Sequence, residues 1–485
     1  MMAVMTSAAR REPEASQAVW DLRKLQSRLL CETEFAGRRG WAIDVGYGKT
    51  LPAMMLIRWS SAESVLWIGS KNSAQIAFPA EVEKWRVIDP KSVRVLTAED
   101  FGREAKYDFD GRVTGLQFTD RKATKAHILA LAKEFRVLVV GYQLLDALAA
   151  ALGATRLFDL VIFDEAQYLK NGGRQGSQRF KAGAHLSKGA KQVVAMTGTA
   201  QTASFEELWA LAFILDFGEQ LGSSLTQFRE TYMVPERNGF GFRIRDDEAA
   251  AEVRDRFAQL WTGIRPDERL ELPELVINDI VVRLPPATAQ AATKLMRGLL
   301  AQIGDATVLP SNVAAGLEKA LQLCHGFSYR EEGGARKAVP AHNEKFDALM
   351  ELLDSGIEGG VLLFFNHNET RDKLVKLLGK RMRLVSEPGS VDDWNAGKFQ
   401  VLAGHPASLS EGLNLQHGGN NIIWFGMNWS LNFYKQGLGR MHRSGQTKPV
   451  LVHRIIADHA VERAVCDALD EKAGLLEALN RRLAQ

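Results

Sequence analysis

The feature that most constrains this chain is an apolar run, Leu160–Phe163, that ends in two adjacent acids, Asp164 and Glu165. A run of four apolar residues is typical of a strand that helices cover on both faces of a parallel sheet. Open α/β sheets carry their functional sites at the carboxyl ends of the strands. We therefore expect both acids at such an edge, with Asp164 holding Mg²⁺ through water and Glu165 orienting and deprotonating an attacking water.

Similar apolar runs recur along both halves of the chain, with helical patterns between them. Those of the first half are Val65–Ile68, Val137–Val140, Leu160–Phe163 and Gln192–Met196, and those of the second half are Val361–Phe365, Val401–Ala403, Asn421–Phe425 and Leu451–Ile456. Strands that alternate with helices predict βα units and parallel sheets. Between the two series, prolines interrupt the pattern and helix-like stretches replace it. The sequence therefore predicts an α/β fold of two parallel-sheet lobes joined by a helical bridge.

These patterns divide the chain of 485 residues into four parts. We expect a flexible tail over 1–18, an N-terminal lobe over 19–218, the helical bridge over 219–342 and a C-terminal lobe over 343–485. The apolar spacing over Val461–Leu483 predicts a helix that docks on the second lobe. A chain of this length has room for two or three domains.

Composition and charge exclude several classes of protein. No apolar run approaches the ~20 residues of a membrane helix, and residues 1–16 lack the apolar block of a secretory signal. Cys31, Cys324 and Cys466 fit no metal-ligand spacing, so we expect three reduced thiols. The net charge of +3 means that a binder of polyanions must gather its cations locally. These features favour a cytoplasmic protein without membrane contact.

A glycine-containing segment, Gly46-Tyr47-Gly48-Lys49-Thr50, stands where a strand should give way to a helix. Glycines let backbone amides approach phosphate oxygens, and the positive end of the helix adds to their field. Lys49 would neutralise β- and γ-phosphate charge, and the Thr50 hydroxyl would bind Mg²⁺. The full G-x-x-x-x-G-K-[ST] pattern is not met, because Ile43 occupies the first glycine position. Together with the acid pair downstream, the segment predicts a nucleoside triphosphate site.

Two further motifs complete this pattern. Thr197-Gly198-Thr199 follows an apolar run, and two hydroxyls around a glycine suit a loop that senses the γ-phosphate and couples it to the other lobe. Arg440 and Arg443 lie nearly 400 residues beyond the phosphate segment, and their spacing places them on one face, shared with Gln436, if the segment is helical. An arginine delivered from another lobe stabilises charge on a transferred phosphoryl group.

The ordered blocks resemble the motifs of the Swi/Snf type of superfamily-two helicase-like ATPases. The resemblance is carried by Asp164–Asn171, Thr197–Ala200 with Glu206–Leu211, Glu411–Gln416 and Gln436–Gln446, with weaker matches at Lys71, Trp85, Tyr142, Leu323–His325 and Asn343–Lys345. It covers roughly residues 22–472, and it is specific because the blocks recur in order at suitable distances. The compact form and the stretch His405–Ser408 resemble versions carried by bacteriophages and prophages, which implies the cytoplasm of a bacterium or of an infected host.

The resemblance implies two RecA-like lobes that bind ATP and Mg²⁺ in the cleft between them. It implies that Gln26 recognises the adenine and that Lys71, Tyr142, Ser408 and Asn414 face nucleic acid. The implied partner is DNA, double-stranded rather than single-stranded, with a protein partner or a separate nuclease subunit as an addition. The motor is expected to act as a monomer.

Three positions depart from the family pattern. Gln167 replaces the usual histidine of the acid box, Ala200 replaces a proline, and Leu409 falls where a glycine is common. None of these changes removes a phosphate, metal or arginine role. They bear on how tightly hydrolysis is coupled to DNA.

A basic segment follows the acid box. Between Lys170 and Lys191 there is no acid and there are six cations, namely Lys170, Arg174, Arg179, Lys181, Lys188 and Lys191. Such a segment can lie along a phosphate backbone without contacting bases, and a solvated polar face is the alternative. Aromatic stacking platforms for single strands are not evident, which favours duplex DNA as the ligand.

The sequence thus predicts a DNA-stimulated ATPase that moves along duplex DNA and displaces or remodels bound proteins. Three alternatives stay open: a strand-separating helicase, the motor subunit of a restriction or defence system, and a nucleotide-gated DNA-binding scaffold with negligible turnover. The scaffold is disfavoured because Lys49, Glu165 and Arg443 are all present, and a scaffold needs no base for an attacking water.

Overall fold

The structure is a computed structural model. It describes residues 22–43, 46–107, 113–118, 121–169, 178–198, 205–236, 241–268, 270–297, 301–303, 306–308, 313–332, 335–409, 413–427 and 430–470. The chain divides into two compact units, and it passes from the first to the second between Arg269 and Leu270. Each unit is built around a parallel sheet.

The first unit alternates strands and helices along most of its described length. Its strands are β1 (Arg38–Ala42), β2 (Val65–Gly69), β3 (Val93–Val95), β4 (Arg103–Tyr107), β5 (Val113–Phe118), β6 (Val137–Gly141), β7 (Leu160–Phe163), β8 (Gln192–Thr197), β9 (Met233–Pro235), β10 (Phe242–Ile244) and β11 (Trp261–Thr262). Its helices are α1 (Lys24–Ala36), α2 (Thr50–Trp59), α3 (Phe78–Trp85), α4 (Arg121–Glu134), α5 (Leu145–Leu152), α6 (Gln178–Gly189), α7 (Phe205–Asp216), α8 (Leu225–Tyr232) and α9 (Asp247–Leu260).

The sheet of the first unit joins seven of these described strands in the order β11-β1-β8-β7-β2-β6-β3, and all neighbours are parallel. Antiparallel hairpins pair β4 with β5 and β9 with β10. The register sets Ala42 beside Thr197 and Ile68 beside Phe163. Because parallel strands end at the same edge, the segments that follow β1, β8, β7 and β2 lie side by side.

This sheet is buried on both faces, as its apolar runs predict. Val161 and Phe163 of β7 join one core cluster, whereas Leu160 and Ile162 join the cluster on the opposite face. The alternation follows because successive side chains of a strand point to opposite faces. All four side chains are fully buried.

Strand β1 lies inside the sheet although it begins with two arginines. Arg38 and Arg39 both donate side-chain hydrogen bonds to neighbouring segments. Gly40 leaves room for the ring of Trp261 in β11, since a Cβ atom at this position would lie 2.1 Å from that ring. The close pairing of β1 with β11 therefore depends on glycine.

The second unit repeats the alternation. Its strands are β12 (Leu275–Val282), β13 (Ala301–Ile303), β14 (Ala306–Val308), β15 (Phe327–Glu332), β16 (Ala335–Pro340), β17 (Gly360–Phe364), β18 (Met382–Leu384), β19 (Val401–Gly404), β20 (Gly419–Trp424) and β21 (Val450–Ala457). Its helices are α10 (Pro286–Met296), α11 (Val313–Cys324), α12 (Glu344–Asp354), α13 (Asn368–Leu378), α14 (Ser390–Asn395), α15 (Pro406–Leu409), α16 (Leu431–Leu438) and a last one over residues 460–470.

The sheet of the second unit joins six described strands in the order β12-β21-β20-β17-β19-β18, again with all neighbours parallel. Hairpins pair β13 with β14 and β15 with β16. Leu362 and Phe364 of β17 pack into one core cluster, and Val361 and Leu363 pack into the cluster on the other face.

A buried ion pair ties together several elements of the second unit. The Lys345 ammonium of α12 lies 2.5 Å from the carboxylate of Glu462 and donates to the carbonyl groups of Ile455 and Phe425. The other carboxylate oxygen of Glu462 accepts from the Ala457 amide at 2.6 Å. Both side chains are fully buried. Charges are tolerated at such depth because they are paired and hydrogen-bonded.

The predicted α/β fold with two parallel sheets is confirmed, and every apolar run named above is a strand. The residues of the predicted bridge, 219–342, are divided between the two compact units. Its first part, up to Arg269, belongs to the first unit, where β11 extends the sheet, and its remainder belongs to the second unit, where β12 does the same. The predicted tail over 1–18 lies outside the described residues. The predicted C-terminal helix is described over 460–470, and its continuation to Leu483 lies outside.

The three cysteines are free thiols. Cys31 is exposed, whereas Cys324 and Cys466 are buried. Burial raises the pKa of Cys466 to about 12 and raises that of Cys324 further. Across the described segments, no helix combines the length and apolar character needed to cross a membrane.

Candidate functional site

The predicted phosphate segment lies between β1 and α2. The Ile43 amide, directly after β1, donates to the Thr197 carbonyl at 3.0 Å, and α2 begins at Thr50. The Lys49 ammonium donates to the Ile43 carbonyl at 3.0 Å, so the side chain folds back over its own loop. The first amides of a helix have no acceptor within the helix. The segment thus presents amide donors and one ammonium group, a combination suited to phosphate oxygens.

Helix α1 holds this loop from the side. Gly46 and Gly48 have φ angles of 93° and 70°, a region that favours glycine. The Arg23 guanidinium donates to the Tyr47 carbonyl, and the Gln26 amide donates to the Gly48 carbonyl at 3.2 Å. Nothing in the sequence pattern singles out Arg23, because its role depends on the folded position of a loop more than 20 residues away.

Gln26 has a second contact within the protein. Its side-chain oxygen accepts from the Arg23 backbone amide at 3.1 Å, and the side chain is buried. Both polar functions of Gln26 therefore bind backbone, one of them in the phosphate loop. Its predicted role in recognising adenine stays a prediction.

The acid pair follows β7 at the same sheet edge. The Ser73 hydroxyl donates to the Asp164 carboxylate at 2.5 Å. Burial, followed by the charge of Glu165, raises the pKa of Asp164 to about 6, while the Lys49 ammonium and the Ser73 hydroxyl act in the opposite direction. Glu165 has a φ angle of 57°, uncommon for a residue with a side chain and a recurrent feature of functional sites.

Gln167 links the acid pair to the neighbouring strand. Its amide donates to the Glu165 carboxylate at 2.6 Å, and its oxygen accepts from the Thr197 hydroxyl at 2.7 Å. Gln167 and Thr197 are both buried. In sequence analysis Gln167 is only a departure from the family pattern; the structure shows that it connects the predicted base to the predicted coupling segment.

The predicted coupling segment is described in part. Thr197 ends β8 and Gly198 follows it, both buried, whereas Thr199 lies outside the described residues. Lys170 and Arg174 of the basic segment also lie outside. Lys71 follows β2 and is exposed, so its side chain is accessible to a ligand.

Tyr142, expected to face nucleic acid, lies beside the acid pair, and its role toward nucleic acid stays a prediction. The side chain is buried, and its ring stacks on Tyr168 with centroids 5.2 Å apart. Its hydroxyl donates to the Asp164 carbonyl at 3.0 Å. Burial, with the nearby carboxylates, raises the pKa of Tyr142 well above its ordinary value, so the hydroxyl remains a donor. Tyr142 thus helps to position the backbone of the acid pair through its hydrogen bond to Asp164.

In the second unit the predicted arginines share a contact without sharing a helix. Helix α16 contains Gln436, which is buried, but ends at Leu438. Arg440 and Arg443 follow the helix in turns, so the condition under which they would share one helical face is not met. Their Nη1 atoms nevertheless both donate to the Leu413 carbonyl, at 3.0 and 3.4 Å. The pair is therefore preorganised around one acceptor.

The two predicted contacts in the fifth motif lie on either side of Leu413 in the sequence, the residue whose carbonyl both arginines contact. Ser408 is in the short helix α15, and its amide donates to the His405 carbonyl at 2.9 Å. The Asn414 carbonyl accepts from the Asn395 amide at 2.9 Å. Both residues are placed by backbone contacts, and their roles toward nucleic acid stay predictions.

The donor set fits Mg²⁺ that arrives with a nucleotide. Thr50 offers a hydroxyl and Asp164 a carboxylate, and Mg²⁺ in nucleotide sites is bound by one or two such groups together with phosphates and waters. Within the described residues, no group of three or more His, Cys, Asp or Glu side chains could hold a metal ion. The residues present therefore suit a metal that shares its ligands with a substrate.

Comparisons with known proteins agree with these motifs. No protein-family model matches the chain. Protein p41 of Acyrthosiphon pisum secondary endosymbiont phage 1 is 26% identical, over 91% of this chain and 95% of that protein. A second relative, from Xenopus tropicalis, is 24% identical over 91% of this chain. It is named "SWI/SNF-related matrix-associated actin-dependent regulator of chromatin subfamily A-like protein 1". Over most of its length the chain is therefore similar to a phage protein and to a SWI/SNF-related protein.

Further comparisons give the extent of this similarity. The DNA repair and recombination protein RDH54 of Saccharomyces cerevisiae is 22% identical over 87% of this chain. The chain spans 44% and 47% of the lengths of the Xenopus and yeast relatives, about half of each. A SWI2/SNF2 ATPase core of Sulfolobus solfataricus, solved in complex with dsDNA, is 20% identical over 95% of this chain, with a TM-score of 0.40.

Proposed function

We propose that the protein is a DNA-stimulated ATPase that moves along duplex DNA. The observation that carries the proposal is the arrangement at one edge of the sheet. Lys49 follows β1, Asp164 and Glu165 follow β7, and Thr197 ends β8, which lies between these two parallel strands. A phosphate loop, a metal-binding acid and a base for water are the parts that phosphoryl transfer to water requires. The similarity to Swi/Snf-type proteins supports DNA as the effector.

The residues have distinct proposed roles in hydrolysis. The loop amides and Lys49 bind the β- and γ-phosphates of ATP, and Thr50 and Asp164 hold Mg²⁺, which supplies charge neutralisation on those phosphates. Glu165 orients and deprotonates the attacking water. Gln167 holds the Glu165 carboxylate in place through its hydrogen bond of 2.6 Å. Positioning of this kind is the main contribution that a protein makes to phosphoryl transfer.

The second unit contributes cations in the proposal. Arg440 and Arg443 stabilise negative charge on the γ-phosphate of ATP, and Gln436 assists them. Two guanidinium groups that already share the Leu413 carbonyl lose little conformational freedom when they engage a phosphate.

The first experiment measures phosphate release with and without duplex DNA. We expect turnover to rise many-fold with DNA, and to vanish in both conditions in Lys49→Ala. A wild-type rate that is indifferent to DNA would contradict the motor, and ATP binding without turnover would favour the scaffold.

A second experiment separates movement along a duplex from strand separation. One preparation is assayed for displacement of a third strand from a DNA triplex and for unwinding of a forked duplex. Triplex displacement alone is the expected result. Unwinding of the fork would identify a helicase, and failure in both assays with intact DNA-stimulated hydrolysis would rule out processive movement.

A further inference from the structure

Helix α1 contacts two functional segments of the first unit. The first contact is with the phosphate loop. Arg23, directly before α1, donates to the Tyr47 carbonyl, and Gln26, in the first turn of α1, donates to the Gly48 carbonyl. The second contact is with residues 262–268. It is made by Lys24, Arg28 and Glu32, which lie on one side of α1 because they are spaced four residues apart. That second segment is the last described stretch before the chain passes into the second unit at residue 270.

The central contact is between Arg28 and Glu268. The guanidinium binds both carboxylate oxygens, at 2.7 and 2.5 Å, and also donates to the Gly263 carbonyl at 2.6 Å. The two side chains are 13% and 3% exposed. Bidentate pairs of arginine and carboxylate fix orientation as well as distance. A buried pair of this geometry holds α1 and the segment in one relative position.

The same carboxylate shapes its own segment. Glu268 accepts from the Arg265 amide at 2.9 Å, which closes the turn before the unit boundary. Burial alone would raise the pKa of Glu268, but the hydrogen bonds from Arg28 and from the Arg265 amide outweigh it, and the pKa lies below its ordinary value. Glu268 is thus charged and fully engaged, and removal of Arg28 would leave a buried charge without its main partner.

A second set of contacts connects the segment to the sheet. Thr262 of β11 donates to the Glu32 carboxylate and accepts from the Arg39 guanidinium at 2.9 Å. Arg39 belongs to β1, the strand that leads into the phosphate loop. The segment is therefore held by both elements, α1 and β1, that position the loop.

We propose that Arg28 and Glu268 are positioning residues that make the setting of the phosphate loop and the path of residues 261–268 depend on each other. The proposal rests on the proposed ATPase function, and it adds a route that couples nucleotide binding to residues 261–268. Nucleotide binding that shifts the Tyr47 and Gly48 carbonyl groups moves α1, and α1 moves the segment. Such coupling is reciprocal. If nucleotide binding changes the conformational equilibrium of residues 261–268 by some factor, a change in that equilibrium alters nucleotide affinity by the same factor.

The test compares Arg28→Met, which keeps the aliphatic stem, with Lys24→Met as the matched control. Lys24 and Asp267 join the same two segments, but their groups are 3.7 Å apart and 79% and 64% exposed. Exposed pairs of this kind contribute little. Two quantities are measured: affinity for a non-hydrolysable ATP analogue without DNA, and the ratio of turnover with duplex DNA to turnover without it.

We expect Arg28→Met to weaken analogue binding at least about fivefold and to lower the DNA-stimulation ratio by a similar factor, the lower range of coupling between sites. Lys24→Met should change neither. An Arg28→Met protein that is folded by its thermal transition and matches wild type in both quantities overturns the proposal. If that variant does not fold, Glu268→Gln, which keeps the shape of the side chain, is held to the same expectation.

A double-mutant cycle distinguishes coupling from general loosening. If the pair acts through the contacts of α1 with the loop, Arg28→Met adds little loss of analogue affinity to Arg23→Met. Independent effects would add, and that result overturns the proposed route. Absence of DNA stimulation in the wild type would instead refute the proposed function, while the affinity measurements would still decide the role of Arg28.

Discussion

The side-chain amide of Gln167 donates a hydrogen bond of 2.6 Å to the carboxylate of Glu165. Because the same side chain accepts from Thr197 at 2.7 Å, it joins the ends of the neighbouring strands β7 and β8. The carboxylate proposed to activate water is thereby held by the strand that leads into the coupling segment. A change at that segment has a direct route to the base.

The first prediction concerns Glu165→Gln. We expect ATP binding to persist and turnover to fall by about 100-fold or more, since general-base catalysis commonly supplies a factor of this size. Phosphate release and binding of a fluorescent ATP analogue measure the two effects. Glu83→Gln removes the same charge at an exposed position and serves as the control. Turnover close to that of the control would rule out Glu165 as the base.

The second prediction concerns the link itself. Gln167→Ala removes the bond to Glu165 and also removes the side-chain oxygen to which the buried Thr197 hydroxyl donates. We expect the maximal rate to fall roughly 10- to 100-fold through misorientation of the carboxylate, with nucleotide affinity nearly unchanged. Steady-state kinetics separate the two quantities. Because both residues belong to one chain of hydrogen bonds, Thr197→Val should add little to the loss; full additivity would show that they act separately.

Much of this site could be predicted from sequence because it lies at the ends of strands with strongly apolar interiors. The run before Asp164 marks its own position in a parallel sheet. Strand β1 was harder, since Arg38–Ala42 is half polar and its burial depends on the partner strand β11. Strand β12 is an edge strand whose outward side chains, such as Val281, remain exposed, so its apolar content does not mark burial.

Side-chain placement was less predictable than strand position. A tyrosine at a motif position can be displayed or buried, and only the packed neighbours Asp164 and Tyr168 decide that Tyr142 is buried. Spacing of three suggests one helical face for Arg440 and Arg443, but the helix ends before them and their common contact is a backbone carbonyl. Contacts between residues distant in sequence decide both cases.

The third prediction concerns the buried ion pair of the second unit. Lys345→Met leaves the Glu462 carboxylate fully buried without its cation, which costs about 3–5 kcal/mol of unfolding free energy. The thermal transition of this unit should fall by several degrees or more. Lys398→Met is the control, because Lys398 pairs with Asp393 at the surface and such pairs contribute little to stability. Equal effects of the two changes would mean that the buried pair is not specially important.

The fourth prediction concerns acid stability. Burial, with the nearby His325 and His405, lowers the pKa of His367 to about 3. The unfolded chain binds this proton near the ordinary value of about 6.5, and the folded chain does not. The contribution of neutral His367 to the free energy of unfolding is therefore complete above the ordinary histidine pKa, and it declines as the pH falls toward 3.

His367→Gln should accordingly flatten the loss of thermal stability between about pH 7 and pH 5. His417→Gln, at an exposed histidine, should leave the slope as in the wild type. Unfolding temperatures across this range measure both slopes. Parallel curves for the wild type and His367→Gln would contradict the assignment.

The last prediction concerns the described part of the basic segment. On α6, Lys181 and Lys188 are exposed and seven residues apart, which places them on one side of the helix. If both contact DNA phosphates, Lys181→Gln with Lys188→Gln should weaken duplex binding and reduce the slope of log affinity against log salt by about 2, close to one unit for each phosphate contact. Binding titrations at several salt concentrations measure the slope. Lys133→Gln, an exposed lysine on α4 of the same unit, provides the control for simple loss of charge. A slope equal to that of the control would remove α6 from the DNA-binding surface, and DNA contact would then rest on other cations, such as the exposed Lys71.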